Sequence, residues 1–345
     1  MSEFRKDPIT GRWRIIAPGR SARPNAYAGP PPARESDESC PFCEGHEART
    51  PPETAAVRPA GGAADGPGWS VRAIPNRFPS VSREEAGVGM PSSPTFESAP
   101  GYGVHEVVIE APHHAPDLPY LSPDHLRVLF RFLRERVRAI SAMSRIENVL
   151  LFENRGPESG GTLPHPHAQI VGSDRTPPRV AEEIAAFAQP EGRSGEKCRL
   201  EVVAAAERAE GTRVVWDDDL FLAFTPFASE FPYEVWIVPH RHSVGFAEAT
   251  EAETDRLSSL LPSLLRALDA ARGGPSYNWF VHGSRPGAGS GPEFHWHVEV
   301  APRIVRSDGY ELGSGVAVNP VAPEAAATDY RARLAETDRP PREKR

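Results

Sequence analysis

The feature that most constrains the fold of this chain is an order of segments that occurs twice. The first half runs from a strand-like "EVVIEAPHH" (106–114) through a helix and a second strand to a glycine-rich loop and the strand "HPHAQIV". The second half repeats the order from "EVWIVPHRH" (234–242) through a leucine-rich helix to "YNWFVHG" and "FHWHVEV". Self-similarity on this scale predicts a duplicated α+β unit.

Both predicted helices carry start signals and one apolar face. Ser122 can cap the first helix, with Pro123 in its first turn, and Thr250 followed by Glu253 forms a capping-box pattern for the second. The apolar faces consist of Leu126, Leu129, Phe130, Leu133, Val137 and Ile140 in the first helix, and Leu257, Leu260, Leu261, Leu264 and Leu268 in the second. Each spacing predicts a helix that packs on a sheet.

Charge and hydropathy exclude two classes of partner. The 345 residues include 39 basic and 47 acidic ones, for a net charge of -8, which leaves no excess of positive charge for a nucleic-acid backbone. The N-terminus is charged, and no apolar run approaches the length of a membrane span. We therefore expect a cytoplasmic protein that binds neither nucleic acid nor membrane.

The three cysteines are too few for a disulfide framework, but two of them form the motif "CPFC". Cys40 and Cys43 have the spacing of half a tetrahedral zinc site, which needs two more ligands. His114 and His165 are the natural candidates, and His113 competes with His114. Cys198 is expected to be a lone, partly buried thiol.

The strand "HPHAQ" places three polar side chains on one face, because side chains alternate along a strand. These are His165, His167 and Gln169. If His165 binds the metal, His167 is left as an imidazole facing the loop "NRGPESGGT" (154–162), whose glycines can turn backbone N–H groups towards phosphate. A neutral imidazole is a good nucleophile for phosphoryl-type transfer, and Gln169 and Thr162 could donate to the phosphoryl oxygens.

These motifs resemble those of the galactose-1-phosphate uridylyltransferase branch of the histidine triad superfamily, and the resemblance runs from about residue 7 to residue 325. It implies two duplicated histidine-triad-like units, each an antiparallel sheet with helices packed on it, and an N-terminal arm that carries the zinc knuckle. We expect the first unit at 1–175, the second at 195–328 and a disordered tail at 329–345.

The resemblance also implies roles for the histidine strand. In that family the first histidine binds a structural metal and the second forms a covalent nucleotidyl-histidine. His165 would then bind zinc with Cys40, Cys43 and His114. His167 would be the nucleophile, with Gln169 steadying the intermediate.

Further segments resemble the family's substrate-binding segments. The implied substrate-binding residues are Arg20, Arg23, Asn76, Phe78, Asn154, Gly160, Gly161, Thr162, Tyr310 and Glu311. Arg77 stands where the family often has an acid. The two arginines correspond to residues that reach the nucleotide of a neighbouring subunit, which implies a homodimer.

A second structural metal, iron or zinc, is implied in the C-terminal half. Its ligands would be Glu183, His282, His295 and His297, with Glu182 as the rival of Glu183. The "HWH" strand lacks the Pro and Gln that surround His167, so we do not expect a second catalytic centre there.

The expected activity is a ping-pong transfer of UMP from UDP-glucose to a hexose 1-phosphate, galactose 1-phosphate, through His167. The segments "GYELGSG" and "NPVAPE" resemble those of ADP-sugar phosphorylases instead. That resemblance implies the alternative activity, AMP transfer from an ADP-sugar to inorganic phosphate. A hydrolase of nucleotide conjugates and a scaffold that has lost the chemistry are the remaining alternatives.

Overall fold

Each half of the chain contains a run of strands, one long helix and two further strands. The computed structural model describes residues 2–22, 39–84, 95–96, 98–114, 117–187, 198–284 and 294–337. In these ranges the strands are β1 (Glu3–Lys6), β2 (Trp13–Ile16), β3 (Ala55–Val57), β4 (Val71–Pro75), β5 (Gly103–Ile109), β6 (Asn148–Arg155), β7 (His167–Ser173), β8 (Val214–Asp217), β9 (Phe221–Phe224), β10 (Val235–Pro239), β11 (Tyr277–His282), β12 (His297–Pro302) and β13 (Val318–Asn319). The α-helices are α1 (Pro123–Ser141), α2 (Pro178–Phe187), α3 (Arg199–Glu210), α4 (Glu251–Arg272), α5 (Gly309–Ser314) and α6 (Pro323–Thr337).

One ten-stranded sheet spans both halves, and its strand order is symmetrical about the centre. The order is β3-β4-β5-β7-β6-β11-β12-β10-β9-β8, and its neighbouring strands are antiparallel. The halves meet where β6 pairs with β11, with Phe152 opposite Phe280. Strands β4, β5, β7 and β6 therefore have counterparts in β9, β10, β12 and β11, so the predicted α+β fold with a duplicated unit is confirmed.

Helices α1 and α4 cover one face of this sheet and lie against each other. The Ser122 hydroxyl accepts the His125 N–H at 3.3 Å, and Thr250 and Glu253 form the predicted capping box. All eleven predicted apolar residues of the two helices are buried in the core. Burying each of these side chains contributes about 1.5–3 kcal/mol, so the two helices are fixed mainly by this shared core.

The structure differs from the sequence prediction at two element boundaries. Pairing in the histidine strand begins at His167 and not at His165, because Pro166 has no N–H to add to the ladder. At the C-terminus, α6 runs through Thr337, beyond residue 328, where the disordered tail was expected to begin. The helix is held because Tyr330 and Leu334 are buried in the main core beside α4.

On the opposite face of the sheet, Phe224 and Trp236 are buried in a second apolar cluster with residues of α2 and α3 and with Ile9 of the N-terminal hairpin. A second sheet, in the order β1-β2-β13, joins the N-terminal hairpin to a segment near the C-terminus. Arg5 of β1 pairs with Glu324 of α6 at 2.8 Å, so the N-terminal arm lies against the C-terminal half. None of the helices in the described ranges has the length and apolar character needed to cross a membrane.

Candidate functional site

Four potential metal ligands converge where β5 ends and β7 begins. The atoms of Cys40, Cys43, His114 and His165 lie within 4.8 Å of one another. Cys43 Sγ is 3.1 Å from His114 Nδ1, and His165 Nδ1 is 3.5 Å from Cys40 Sγ and 3.7 Å from Cys43 Sγ. Because β5 and β7 are antiparallel neighbours, the histidine after one strand meets the histidine before the other. His113 is not in this group.

The donor chemistry of this first metal group fits a tetrahedral metal ion. Two thiolates and two imidazoles at metal distances of about 2.0–2.3 Å would lie roughly 3.5 Å from one another, close to the separations here. The Nε2–H of His165 donates to the Ala111 carbonyl at 2.8 Å, which turns Nδ1 towards the sulfurs. A backbone carbonyl on the far nitrogen is the usual support of a metal-binding histidine.

His167 is held in the tautomer that a nucleophile requires. Its Nδ1–H donates to the carbonyl of His165 at 2.7 Å, so the lone pair is on Nε2. The Phe42 ring packs edge-on against the imidazole, with the ring centroids 5.3 Å apart, and His167 is 8% exposed. Burial lowers the pKa of His167, which keeps the imidazole neutral near pH 7.

Two carboxamides lie on the same sheet face as His167. Gln169 is two residues further along β7, and its Oε1 is 2.9 Å from His105 Nε2 on β5. Asn154 is on β6, next to Glu153, which is paired with Ala168, and its Oδ1 accepts the amide of Asn278 at 2.7 Å. His105 and Asn278 could not be identified from the sequence, because each acts only across a strand pairing that the sequence does not reveal.

The glycine-rich loop follows β6 and folds back against its own backbone. Gly156 and Gly160 have φ values of 82° and 86°, a left-handed region that favours glycine. At Gly161 a Cβ would lie 2.8 Å from the Gly156 carbonyl and 2.9 Å from the Asn154 carbonyl, which leaves no room for a side chain. The N–H groups of Gly160 and Gly161 donate within the loop, to the carbonyls of Pro157 at 3.2 Å and Gly156 at 3.1 Å. Thr162, at the end of the loop, is exposed.

The other predicted substrate residues lie on the surface or in local hydrogen bonds. Phe78 and Tyr310 are 83% and 52% exposed. Both oxygens of Glu311 accept backbone N–H groups, from Val318 at 2.9 Å and from Asp308 at 2.8 Å, and so cap α5.

Asn76, Arg20 and Arg23 form the rest of the predicted substrate set. Asn76 Oδ1 accepts the Phe78 N–H at 2.8 Å. Arg20 forms an exposed ion pair with Asp308 at 2.9 Å. Arg23 lies outside the described residues.

A second buried group in the C-terminal half matches three of the four predicted ligands. Glu183, His282 and His297 lie together with Glu299, again within 4.8 Å. Both Glu183 oxygens are 2.9 Å from His282 Nδ1. Glu299 is shared with Arg179, whose Nη2 is 2.7 Å from its second oxygen. Carboxylate and imidazole ligands suit iron or zinc.

Two predicted candidates for this second group lie elsewhere. The rival Glu182 forms an ion pair with Arg12 at 2.6 Å. His295 is in a third group, described next, because it precedes β12 and His297 begins that strand.

The third group contains Cys198, Glu201, His242 and His295, within 4.8 Å of one another. Cys198 is therefore not an isolated thiol: its Sγ is 3.7 Å from His295 Nδ1. The Nε2–H of His295 donates to the Pro239 carbonyl at 2.8 Å, as His165 does to Ala111 in the first half. The duplication, "PHH" against "PHRH" and "HPH" against "HWH", was the signal that could have identified this group.

In the second half a carboxylate occupies the position of Gln169. Glu299 follows His297 by two residues, and its Oε1 is 3.3 Å from His297 Nε2. Burial opposes the charged form of His297, but the hydrogen bond that His297 donates to Glu299 and the charge of Glu183 raise its pKa. His297 is therefore followed on its strand by a carboxylate, whereas His167 is followed by a carboxamide. The two histidines thus differ in the charge of the neighbouring side chain.

Comparison with known proteins agrees with this arrangement. Residues 1–177 match the family described as galactose-1-phosphate uridyl transferase, N-terminal domain. The ADP-glucose phosphorylase of Arabidopsis thaliana is 30% identical over 331 residues, which cover 94% of this chain and 91% of that protein. The galactose-1-phosphate uridylyltransferase of Thermotoga maritima is 28% identical over 341 residues, covering 96% and 98%.

Solved structures show the same similarity over the whole chain. The structure of an ADP-glucose phosphorylase from Arabidopsis thaliana with bound ADP-glucose has a TM-score of 0.79 at 28% identity, covering 96% of this chain and 98% of that one. A uridylyltransferase mutant has a TM-score of 0.75 at 27% identity, covering 98% and 100%. With the matched family, the near full-length relatives and the shared fold, the chain belongs to the galactose-1-phosphate uridyl transferase family.

Proposed function

We propose that the protein transfers a nucleotidyl group from a nucleoside diphosphate hexose through a covalent bond to His167. The single observation that carries this proposal is the Nδ1–H bond of His167 to the His165 carbonyl, which leaves the Nε2 lone pair for attack. The relatives named uridylyltransferase and ADP-glucose phosphorylase support the reaction class.

The reaction divides one displacement at phosphorus into two. His167 Nε2 attacks the α-phosphorus, the bond from that phosphorus to the bridging oxygen breaks, and hexose 1-phosphate leaves with the electron pair. An oxygen of the acceptor then attacks the same phosphorus, and the P–N bond breaks to restore neutral His167. Gln169 and Asn154 would donate to the phosphoryl oxygens in both steps, beside the loop that carries Gly160 and Gly161.

The metal groups have a structural part in this proposal. We propose zinc for Cys40, Cys43, His114 and His165, and iron or zinc for Glu183, His282 and His297. A metal in the first group would fix the carbonyl of His165, and with it the tautomer of His167. Arg20 and Arg23 would bind the nucleotide of a partner subunit in a homodimer, which a light-scattering mass in solution would test.

Two acceptors are candidates. The sequence favours UDP-glucose as donor and galactose 1-phosphate as acceptor. The second candidate is ADP-glucose with inorganic phosphate. The observation that favours it is the 30% identity, over 94% of this chain, with the protein named ADP-glucose phosphorylase.

Incubation with UDP-glucose or ADP-glucose, followed by intact-protein mass spectrometry at neutral pH, tests both points. We expect one nucleotide monophosphate on the wild-type protein and none on His167→Ala. Galactose 1-phosphate should then discharge a UMP adduct, or inorganic phosphate an AMP adduct. An adduct that persists in His167→Ala, or no adduct with either donor, would contradict the proposal.

A further inference from the structure

Each of the two carboxamides beside His167 forms a hydrogen bond with one further side chain, here called its outer residue. His105 on β5 contacts Gln169, and Asn278 on β11 contacts Asn154. Each of these outer residues is itself fixed by a backbone group. A backbone N–H can only donate and a backbone carbonyl can only accept, whereas a carboxamide can present either end. The backbone contact therefore decides which way each chain of hydrogen bonds runs.

On the β5 side the series of hydrogen bonds starts at Ser80. Its backbone N–H donates to His105 Nδ1 at 3.1 Å, so that nitrogen carries the lone pair. His105 Nε2 then carries the proton and donates to Gln169 Oε1 at 2.9 Å. His105 is 8% exposed, and burial lowers its pKa, so the ring keeps a single proton near pH 7.

A neighbouring contact does not change this direction. Asn76 Nδ2 lies 3.1 Å from the same His105 Nε2, but Asn76 Oδ1 is fixed by the Phe78 N–H at 2.8 Å. Both facing nitrogens then carry hydrogen, so this contact adds no hydrogen bond. Gln169 remains the acceptor of the His105 proton.

On the β11 side the series of hydrogen bonds starts at the Ser159 carbonyl. The Asn278 amide donates to it at 2.9 Å, so the NH2 end of Asn278 is on this side. The same NH2 group donates to Asn154 Oδ1 at 2.7 Å. As with Gln169, the oxygen end of the inner carboxamide is held by the outer residue.

We propose that His105 and Asn278 are positioning residues, which hold the oxygens of Gln169 and Asn154 so that the NH2 groups of both face the phosphorus site beside His167. This inference rests on the proposed function, because the NH2 groups act only on a phosphoryl group at His167. In the opposite orientation two carbonyl oxygens would face the anionic phosphate and repel it. The outer residues thus set the sign of the field at the reacting atoms.

A double-mutant cycle tests the β5 side. His105→Phe keeps the ring shape and removes the donor, and the rate of adduct formation is measured in a single turnover with UDP-glucose or ADP-glucose. We expect a loss of roughly tenfold, the effect of one misdirected hydrogen bond. The double variant with Gln169→Ala should react no more slowly than Gln169→Ala alone. His240→Phe, the same change at a histidine of the other half, is the control and should react at the wild-type rate.

The Asn278 side has an isosteric test. Asn278→Asp turns a carboxylate towards Asn154 Oδ1 and the Ser159 carbonyl, so we expect a similar loss, absent when Asn154 is already Ala. Melting temperatures would show that the variants remain folded. A His105→Phe rate equal to the wild type, or losses that multiply in both double variants, would overturn the inference.

A measurement that needs no activity separates this inference from the proposed function. The 15N chemical shifts of the His105 ring, assigned by their absence in His105→Phe, report which nitrogen carries the proton. We expect the Nε2–H tautomer from pH 7 to 8. A Nδ1–H tautomer would overturn the inference even if the adduct forms. A protein with the Nε2–H tautomer but no adduct would contradict the proposed function and leave the positioning of Gln169 standing.

Discussion

At the scale of single residues, the contrast between His167 and His297 is the most informative feature of the molecule. Both follow a metal-group histidine by two residues, and both donate Nδ1–H to its carbonyl, at 2.7 Å and 3.1 Å. They differ in the side chain two residues on, Gln169 in one half and Glu299 in the other. A carboxylate beside Nε2 would repel a phosphate, so only the first half suits nucleotidyl transfer.

This contrast gives a prediction about the site of modification. After incubation with the reactive nucleotide sugar, digestion at neutral pH and peptide mapping should find the nucleotide on the peptide with His167. The peptide with His297 should carry none, because its Nε2 faces Glu299. Nucleotide on the His297 peptide would contradict the assignment of one catalytic half.

A second residue-scale prediction concerns a buried acid on the other face of the sheet. Glu153 is 3% exposed and accepts the indole N–H of Trp279. Burial raises its pKa to about 8, from an ordinary value of 4.5. Folding therefore keeps this carboxyl protonated, and the stability it contributes is present below pH 4.5 and is lost as pH rises towards 8.

Glu153→Gln should remove this loss of stability at high pH, and its amide oxygen can still accept the indole N–H of Trp279. We expect the melting temperature at pH 8 to rise by several degrees, since each kcal/mol shifts it by about 2–4 °C in chains of this order of size. The variant should also depend less on pH between 5 and 8. Glu135→Gln, on the exposed side of α1, is the matched control and should keep the wild-type profile. Equal pH profiles for all three proteins would contradict the prediction.

At the scale of elements, the loop after β6 depends on the close approach of its own backbone. Gly161→Ala would place a Cβ 2.8 Å from the Gly156 carbonyl, so the loop must shift. We expect adduct formation to slow by about tenfold, because Asn154, whose carbonyl lies 2.9 Å from the same Cβ, would move with the loop.

The control for this loop prediction is a glycine elsewhere that has a positive φ but no close neighbour at the position of a Cβ. Gly211 ends α3 with φ 71° and has open space around its Cα. Gly211→Ala should cost about 1 kcal/mol of stability and leave the rate of adduct formation unchanged. If Gly161→Ala reacts as fast as Gly211→Ala, the loop does not position the phosphate.

At the scale of the whole molecule, the first and second groups of potential metal ligands connect segments that are far apart in sequence. Cys40 and His165 are 125 residues apart, and Glu183 and His282 are 99 residues apart. A metal that joins such segments closes long loops and couples its binding to folding. We therefore expect removal of metal by a strong chelator to lower the melting temperature.

Metal content should fall by one equivalent in each of two variants. These are His114→Ala for the first group and His282→Ala for the second. Elemental analysis of the purified proteins checks each group separately, and His125→Ala, a histidine outside the three groups, is the control. A variant with unchanged metal content removes its group from the set of metal sites.

The sequence by itself determined the duplicated order of elements, the two capped helices and the motif pair "CPFC" and "HPHAQ". These are local patterns: caps, apolar periodicity and ligand spacing act over a few residues, so one chain displays them. His165 and His167 could be separated into ligand and nucleophile because the motif also resembles a family.

Only the tertiary structure decided which distant groups meet. It placed His295 with Cys198 and not with His297, added Glu299 to the second group, and brought His105 and Asn278 beside the carboxamides. It also showed that α6 continues as a helix past residue 328, where a disordered tail was expected, because Tyr330 is buried in the core. Strand pairing and burial set these contacts across many residues of sequence, and no local pattern records them.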